Sequence, residues 1–269
     1  MTALFGGDAM DFSVYFGILL PFFGTAIGAS CVFFMRRTFR TGVQRAFSGF
    51  AAGVMVAASV WSLLLPSIEA SKPMGNLAFV PAVVGFWFGV LFLLALDHLV
   101  PHLNRSDSVS EGLQSSLGRR AKMVLAVTLH NIPEGMAVGA AYAGALMEDG
   151  AASLMGAFVL ALGIAVQNFP EGAIISMPLH VEGMGKRRAF GNGLLSGVVE
   201  PIFALFTLLL SGFILPLLPY FLSFAAGAML YVVVEELIAD AVSGDDGDMG
   251  TLFFALGFSL MMLLDVALG

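Results

Sequence analysis

Long apolar runs constrain this chain more than any other feature. Eight stretches, at 12–35, 43–68, 77–103, 121–146, 152–179, 189–214, 217–242 and 251–268, each approach or exceed twenty residues with few charges. An α-helix of about 20 apolar residues crosses the roughly 30 Å hydrocarbon core of a bilayer. Lipid offers the backbone no hydrogen-bond partners, so a run of this length must satisfy itself as a helix. The expected fold is therefore an all-α integral membrane protein with eight transmembrane helices in a single domain over residues 1–269. Composition agrees, because 58% hydrophobic against 12% charged residues leaves too few charges to coat a soluble globule of 269 residues. The one cysteine, Cys31, excludes a disulfide within the chain and a multi-thiolate metal site. No Lys or Arg precedes Arg36, so the first run lacks the basic start of a secretory signal.

Basic residues set the expected orientation. Arg36, Arg37, Arg40 and Arg45 cluster at the first connector, Arg105, Arg119, Arg120 and Lys122 at the third, and Lys186, Arg187 and Arg188 at the fifth. Lys72 alone lies on the other side. The positive-inside rule places those three connectors in the cytoplasm and both termini on the extracellular or periplasmic side. Asp245, Asp246 and Asp248 in the seventh connector weigh little in that rule. Asp8, Asp11, Glu69, Glu148, Asp149 and Asp265 then make the outer face acidic, which raises the local cation concentration.

Two apolar runs are interrupted by the same polar signature. His130-Asn131-Ile132-Pro133-Glu134-Gly135 lies in the fourth, and Gln167-Asn168-Phe169-Pro170-Glu171-Gly172 in the fifth. Ionisable side chains inside a membrane span are rare and mark function by default. At 100° per residue, His130 and Glu134 share a helix face one turn apart, with Asn131 beside them. Gln167, Asn168 and Glu171 repeat that arrangement. The prolines lack an amide hydrogen, so the carbonyls of Leu129 and Val166 lose their usual partners and can line a polar cavity. The glycines allow another helix to approach closely.

A fainter repeat joins the second and seventh runs, Phe50-Ala51-Ala52-Gly53-Val54-Met55 and Phe224-Ala225-Ala226-Gly227-Ala228-Met229. In the expected orientation these two helices run in opposite directions, as do the fourth and fifth. Inverted repeats with Pro- and Gly-interrupted helices near the midplane characterise secondary transporters.

One imidazole, two carboxylates and amide oxygens form a mixed nitrogen–oxygen donor set. It suits a borderline divalent ion such as zinc, with iron, manganese, cobalt, nickel or cadmium as alternatives, and it does not suit copper(I). Helix kinks account for the prolines alone, and interhelical hydrogen bonds for the amides alone, but neither accounts for two buried carboxylates.

These motifs resemble the ZIP (Zrt/Irt-like protein) family of divalent-metal transporters, most closely its compact bacterial, GufA-like branch. The resemblance rests on the two Pro-Glu-Gly copies and extends over essentially the whole chain. It implies a 3+2+3 inverted repeat, a homodimer and a location in the cell (inner) membrane. It also implies that Zn²⁺ or another divalent cation is the transported substrate. His130, Glu134, Gln167 and Glu171 match the family's primary metal site, with Asn131 and Asn168 joining the glutamates in a neighbouring second site. Met55 matches a second-helix methionine near the primary site, and its bland reading is core packing. Glu200, before Pro201, matches a carboxylate of the second site, and a glutamate in an apolar run supports this independently. Glu235-Glu236 stands where many relatives carry His-Glu. With Asp97, His98, His102, His180 and Asp240 these form a candidate exit relay of weak ligands, although each histidine alone is better explained by an interfacial or hydrogen-bonded structural role. Gln167 replaces a second histidine found in many relatives, and 104–118 carries no histidine, which argues against metal capture by that loop.

No Gly-x-x-x-x-Gly-Lys segment is present, so no nucleotide partner is expected. No basic, aromatic-interleaved patch points to nucleic acid. No organic cofactor is expected. A membrane metalloenzyme remains an alternative, although His130-x-x-x-Glu134 lacks the spacing of zinc proteases. A metal sensor that binds without flux is the other.

Overall fold

The protein is described here by a computed structural model covering residues 8–35, 41–99, 102–103, 110–111, 119–146, 153–243 and 247–268. Arg36, Arg37, Arg40, Arg105, Glu148, Asp149, Asp245 and Asp246, on which the expected charge asymmetry partly rests, lie outside these residues.

Eight long helices carry the fold: α1 Asp8–Phe34, α2 Thr41–Ala70, α3 Phe79–Leu99, α4 Arg119–Ala145, α5 Leu154–Val181, α6 Lys186–Leu209, α7 Leu218–Ala241 and α8 Gly247–Leu268. Seven of them, all but α4, are long and apolar enough to cross a membrane by length and composition. The fourth is as long as α1 at 27 residues, but it opens on Arg119 and Arg120 and carries His130, Asn131 and Glu134. Among the described residues the only strands are two short ones, β1 His102–Leu103 and β2 Ser110–Glu111, paired antiparallel between α3 and α4. The third expected run, 77–103, thus contains a 21-residue helix that stops at Leu99.

Proline explains one break. At Pro201 the missing amide leaves the Gly197 carbonyl without its helical partner, and α6 is interrupted at Val198 between segments Lys186–Gly197 and Val199–Leu209. In α2 and α7 the helix instead widens into π-helical turns, Ser59–Leu64 and Val233–Ile238. Each begins nine residues beyond the first residue of its Phe-Ala-Ala-Gly segment. Such turns occur mostly as single insertions near functional sites.

The helices associate in two groups. In one, α1 lies along α5 and α4 along α6, with α6 also against α1 and α5. In the other, α2 lies along α8 and α3 along α7. The groups meet at two seams, α2 on α5 and α7 on α4. Glycine makes the closest of these approaches possible. A Cβ at Gly172 would overlap the Thr25 carbonyl of α1, and one at Gly135 would overlap the Glu200 carbonyl of α6. The largest apolar cluster includes Ile18, Met55, Leu63, Val138, Leu160, Ile164, Leu222 and Met229. Large side chains such as Phe12, Trp87, Phe88, Phe213 and Val266 face outward, a surface that acyl chains cover and water would not.

Candidate metal centre

Both copies of the polar signature sit mid-helix. Pro133 lies inside α4 and Pro170 inside α5, and neither ends its helix, as membrane helices tolerate proline where neighbouring groups satisfy the freed carbonyl. Glu134, Asn131, Gln167 and Asn168 are fully buried, and His130, Glu171 and Glu200 nearly so. All four helices of the first group reach this centre: α4, α5 and α6 with the residues named, and α1 with the Thr25 hydroxyl and the Pro21 carbonyl.

Glu200 organises one half of it. Its Oε1 accepts from Asn131 Nδ2 at 2.8 Å and from Thr25 Oγ1 at 3.2 Å, and its Oε2 accepts from Asn168 Nδ2 at 2.7 Å. Each asparagine also donates to a main-chain carbonyl: Asn131 to Ser196 at 3.1 Å and Asn168 to Pro21 at 3.4 Å. The Gln167 amide donates in turn to Asn168 Oδ1. Both asparagine amides are thus spent on Glu200 and on main-chain carbonyls, and one Gln167 N–H on the neighbouring amide. Most of what remains are acceptors. Asn131 Oδ1, Gln167 Oε1 and both oxygens of Glu134 are buried without a hydrogen-bond partner among the described residues. The Gln167 and Asn168 amides stand near Glu134, as do the carboxylates of Glu171 and Glu200, but no amide closes a well-formed bond onto it.

Such an arrangement is costly without a counter-charge. Burying an ionised carboxylate costs several kcal/mol even after relaxation, and like charges nearby add to it. A buried acceptor left unpaired costs about 1–3 kcal/mol. A cation supplies what the protein withholds. Among the described residues, no three His, Cys, Asp or Glu side chains stand close enough as placed to hold one ion, so amide oxygens or rotated side chains would have to complete a shell.

The remaining candidates divide. Glu236, on the π-helical turn of α7, is buried and its Oε2 stands 3.4 Å from His130 Nδ1, across the seam between the two groups. Glu235, beside it on the same π-helical turn, is exposed. Asp240 is held by α2, accepting from Gln44 at 2.9 Å and from the Ser48 hydroxyl. Asp97 is buried on α3. His98 and His180 each turn Nδ1 onto a main-chain carbonyl, of Leu94 and Met184, at 2.8 Å. His102 falls on β1, its side chain outside the described residues. Met55 is packed in the large apolar cluster with Leu160 and Ile164, which precede Gln167 by about two turns and one turn of α5.

Thr25 was not legible as a site residue. A lone hydroxyl in an apolar helix commonly bonds its own backbone, and only the fold brings it to Glu200. Likewise Ser62, at 2.7 Å from Asp265 Oδ2, pairs α2 with α8 through a residue the sequence left unmarked.

Comparison with known proteins fits this geometry. The family described as "ZIP Zinc transporter" matches residues 102–265. The chain is 34% identical to zinc transporter ZIP11 of Homo sapiens, over 98% of this chain and 99% of that one. It is 35% identical to zinc transporter ZIPB of Bordetella bronchiseptica, over 92% and 79% of the two chains. Against zinc transporter GufA of Myxococcus xanthus the identity is 35%, over 82% and 85%.

Proposed function

This chain belongs to the ZIP zinc transporter family, and we propose that its zinc passes through the buried centre of α4, α5 and α6 on the way into the cytoplasm. The protein transports zinc, or a related divalent cation, across a membrane. His130, Glu134, Gln167 and Glu171 form the primary metal site in this reading, with Met55 beside it. Asn131, Asn168 and Glu200 join the two glutamates in a second. The observation that carries the assignment is Glu134, a fully buried carboxylate with neither oxygen hydrogen-bonded among the described residues.

The residues give each step a physical cause. Oxygens lacking donors replace the water shed by the ion as it enters. His130 supplies one nitrogen to an otherwise oxygen-rich set, which favours zinc over calcium or magnesium. Carboxylates are labile ligands, and Glu236, 3.4 Å from His130, is placed to draw the ion toward α7. Asp97, His98, His102, His180, Glu235 and Asp240 continue as weak ligands toward the cytoplasm.

In this reading α4 is an eighth crossing and the whole chain is one transmembrane domain, with both termini outside and a 3+2+3 inverted repeat. Matched contacts support the repeat. Asn131 reaches the Ser196 carbonyl on α6 as Asn168 reaches the Pro21 carbonyl on α1. Gly53 abuts the Phe254 carbonyl on α8 as Gly227 abuts the Phe86 carbonyl on α3. The two π-helical turns hold equivalent places. Such symmetry suits alternating access, with α1, α4, α5 and α6 moving against α2, α3, α7 and α8. We place the protein in a bacterial inner membrane as a homodimer.

The test is uptake into sealed liposomes loaded with a metal-sensitive dye, with Zn²⁺, Cd²⁺, Fe²⁺ and Mn²⁺ added outside in turn. Saturable entry that Glu134→Ala abolishes is the expected result. Binding without entry by correctly inserted protein would refute the transport route and favour a sensor.

A further inference from the structure

We propose that a phospholipid acyl chain occupies an apolar groove along the seam where α4 and α6 face α3 and α7. Two cavities of about 400 and 490 Å³ lie there and share Met136, Leu217 and Phe221 as lining residues, so together they form one groove. The first continues along α6 past Phe203 and Phe206 to Phe213 just beyond that helix, and the second along α3 and α7 past Phe88 and Phe224. Their volumes are in the range of small-molecule sites.

Three observations single out the occupant. The walls are almost wholly apolar, and a cavity of that kind does not hold water. Leaving it empty forfeits the dispersion contacts of the rings that line it. The groove is open to the outside, since Phe88, Phe206, Phe213 and Leu217 are all exposed, and for membrane-spanning helices the outside is lipid. Its length fits. Phe203 to Phe213 is ten residues, spanning the end of α6 and the short helical segment Ser211–Ile214 after it, at most about 15 Å at helical rise and close to half of the roughly 30 Å hydrocarbon core, the depth of one leaflet's acyl chain.

The two halves of the sequence explain why the groove exists on this side. At the other seam, Phe169 of the second signature meets Phe47 of α2 edge to face, ring centroids 6.0 Å apart. The matching residue of the first signature is Ile132, and Phe221 stands three residues before Phe224 as Phe47 stands three before Phe50. An isoleucine cannot supply the ring-on-ring contact that closes the other seam. Lipid fills the groove on this side. Met136, two residues beyond Glu134 on α4, brings the chain's end to the depth of the metal centre. The proposal rests on the membrane-spanning reading of these helices and needs no transport to be tested.

Two single-tryptophan proteins test it in vesicles where a minor share of the phosphatidylcholine carries mid-chain bromine. One keeps Trp87 and replaces Trp61, and the other replaces both and carries Phe221→Trp. Exposed Trp87 reports ordinary lipid contact. The expected result is strong quenching at both positions. Adding Leu210→Phe and Leu217→Phe, which narrow the groove, should cut quenching at Phe221→Trp by about half and leave Trp87 unchanged. Unchanged elution on size-exclusion establishes that the variants fold. No quenching at Phe221→Trp while Trp87 is quenched, or no response to narrowing, overturns the proposal. Quenching that rises as the protein is diluted among vesicles also overturns it, since a second copy of the chain would then be the occupant. Zinc uptake, measured separately, can fail without altering any of these readings.

Discussion

Glu200→Gln tests the core of the centre, because one amide cannot do the work of a carboxylate that faces three donors and no acceptor. The glutamine oxygen best serves the Oε1 side, where Thr25 and Asn131 donate. Its NH₂ then points at Asn168 Nδ2, which now donates to the carboxylate at 2.7 Å and otherwise has only the Pro21 carbonyl at 3.4 Å. One hydrogen bond to a charged group is lost, about 1.5–3 kcal/mol, with a donor–donor contact left in its place. For a chain of this size that lowers the unfolding midpoint in detergent by roughly 4–12 °C. A second substitution reverses the polarity. Asn168→Asp can accept from the new NH₂ and still accept from Gln167, as Asn168 Oδ1 does now. Glu200→Gln with Asn168→Asp should therefore recover most of the midpoint, measured by thermal unfolding of the two single variants, the double and the parent. An unchanged midpoint in Glu200→Gln, or a double variant no better than the sum of the singles, would refute the pairing.

Glu134→Ala and Glu171→Ala should each reduce zinc uptake to background in liposomes while the protein still inserts; full-rate uptake by either folded variant would sink the assignment. Glu236→Gln should slow uptake about tenfold and Glu235→Gln several-fold less, since Glu236 is buried beside His130 and Glu235 is exposed. Equal effects in the uptake assay would show that burial does not sort the exit ligands. Gly172→Ala forces a methyl into the Thr25 carbonyl and should destabilise by about 1–3 kcal/mol, read as a lower unfolding midpoint. Asp240→Asn keeps an oxygen for Gln44 or Ser48 but not both without rearrangement, and should loosen the start of α2 and the end of α7, seen as faster amide exchange there.

Much of this was legible in the residues and some was not, for reasons of range. The apolar runs and the two Pro-Glu-Gly copies are local signals, and helix geometry alone sets His130, Asn131 and Glu134 on neighbouring faces. Glu200 stood out because a carboxylate in an apolar run needs an explanation. Its partners Asn131 and Asn168 are 69 and 32 residues away, and Thr25 is 175 away, a pairing that no periodicity encodes. The division of Glu235 from Glu236 depends on the π-helical turn, which shifts the facing of residues without leaving a sequence mark. α4 shows the reverse case. His130, Asn131 and Glu134, the residues proposed to bind metal, are what dilute its apolar signal.

The spent amide hydrogens have a consequence for what else can enter. Asn131 and Asn168 direct their NH₂ groups to Glu200 and to main-chain carbonyls, so the atoms left over at the centre, Asn131 Oδ1, Gln167 Oε1 and the Glu134 oxygens, are all Lewis bases. A chloride or phosphate ion arriving there meets mostly lone pairs, against one spare Gln167 N–H and a His130 ring N–H, and rotating either asparagine to greet it would strip a donor from Glu200. The centre thus disfavours anions through the end of each asparagine amide that is already engaged.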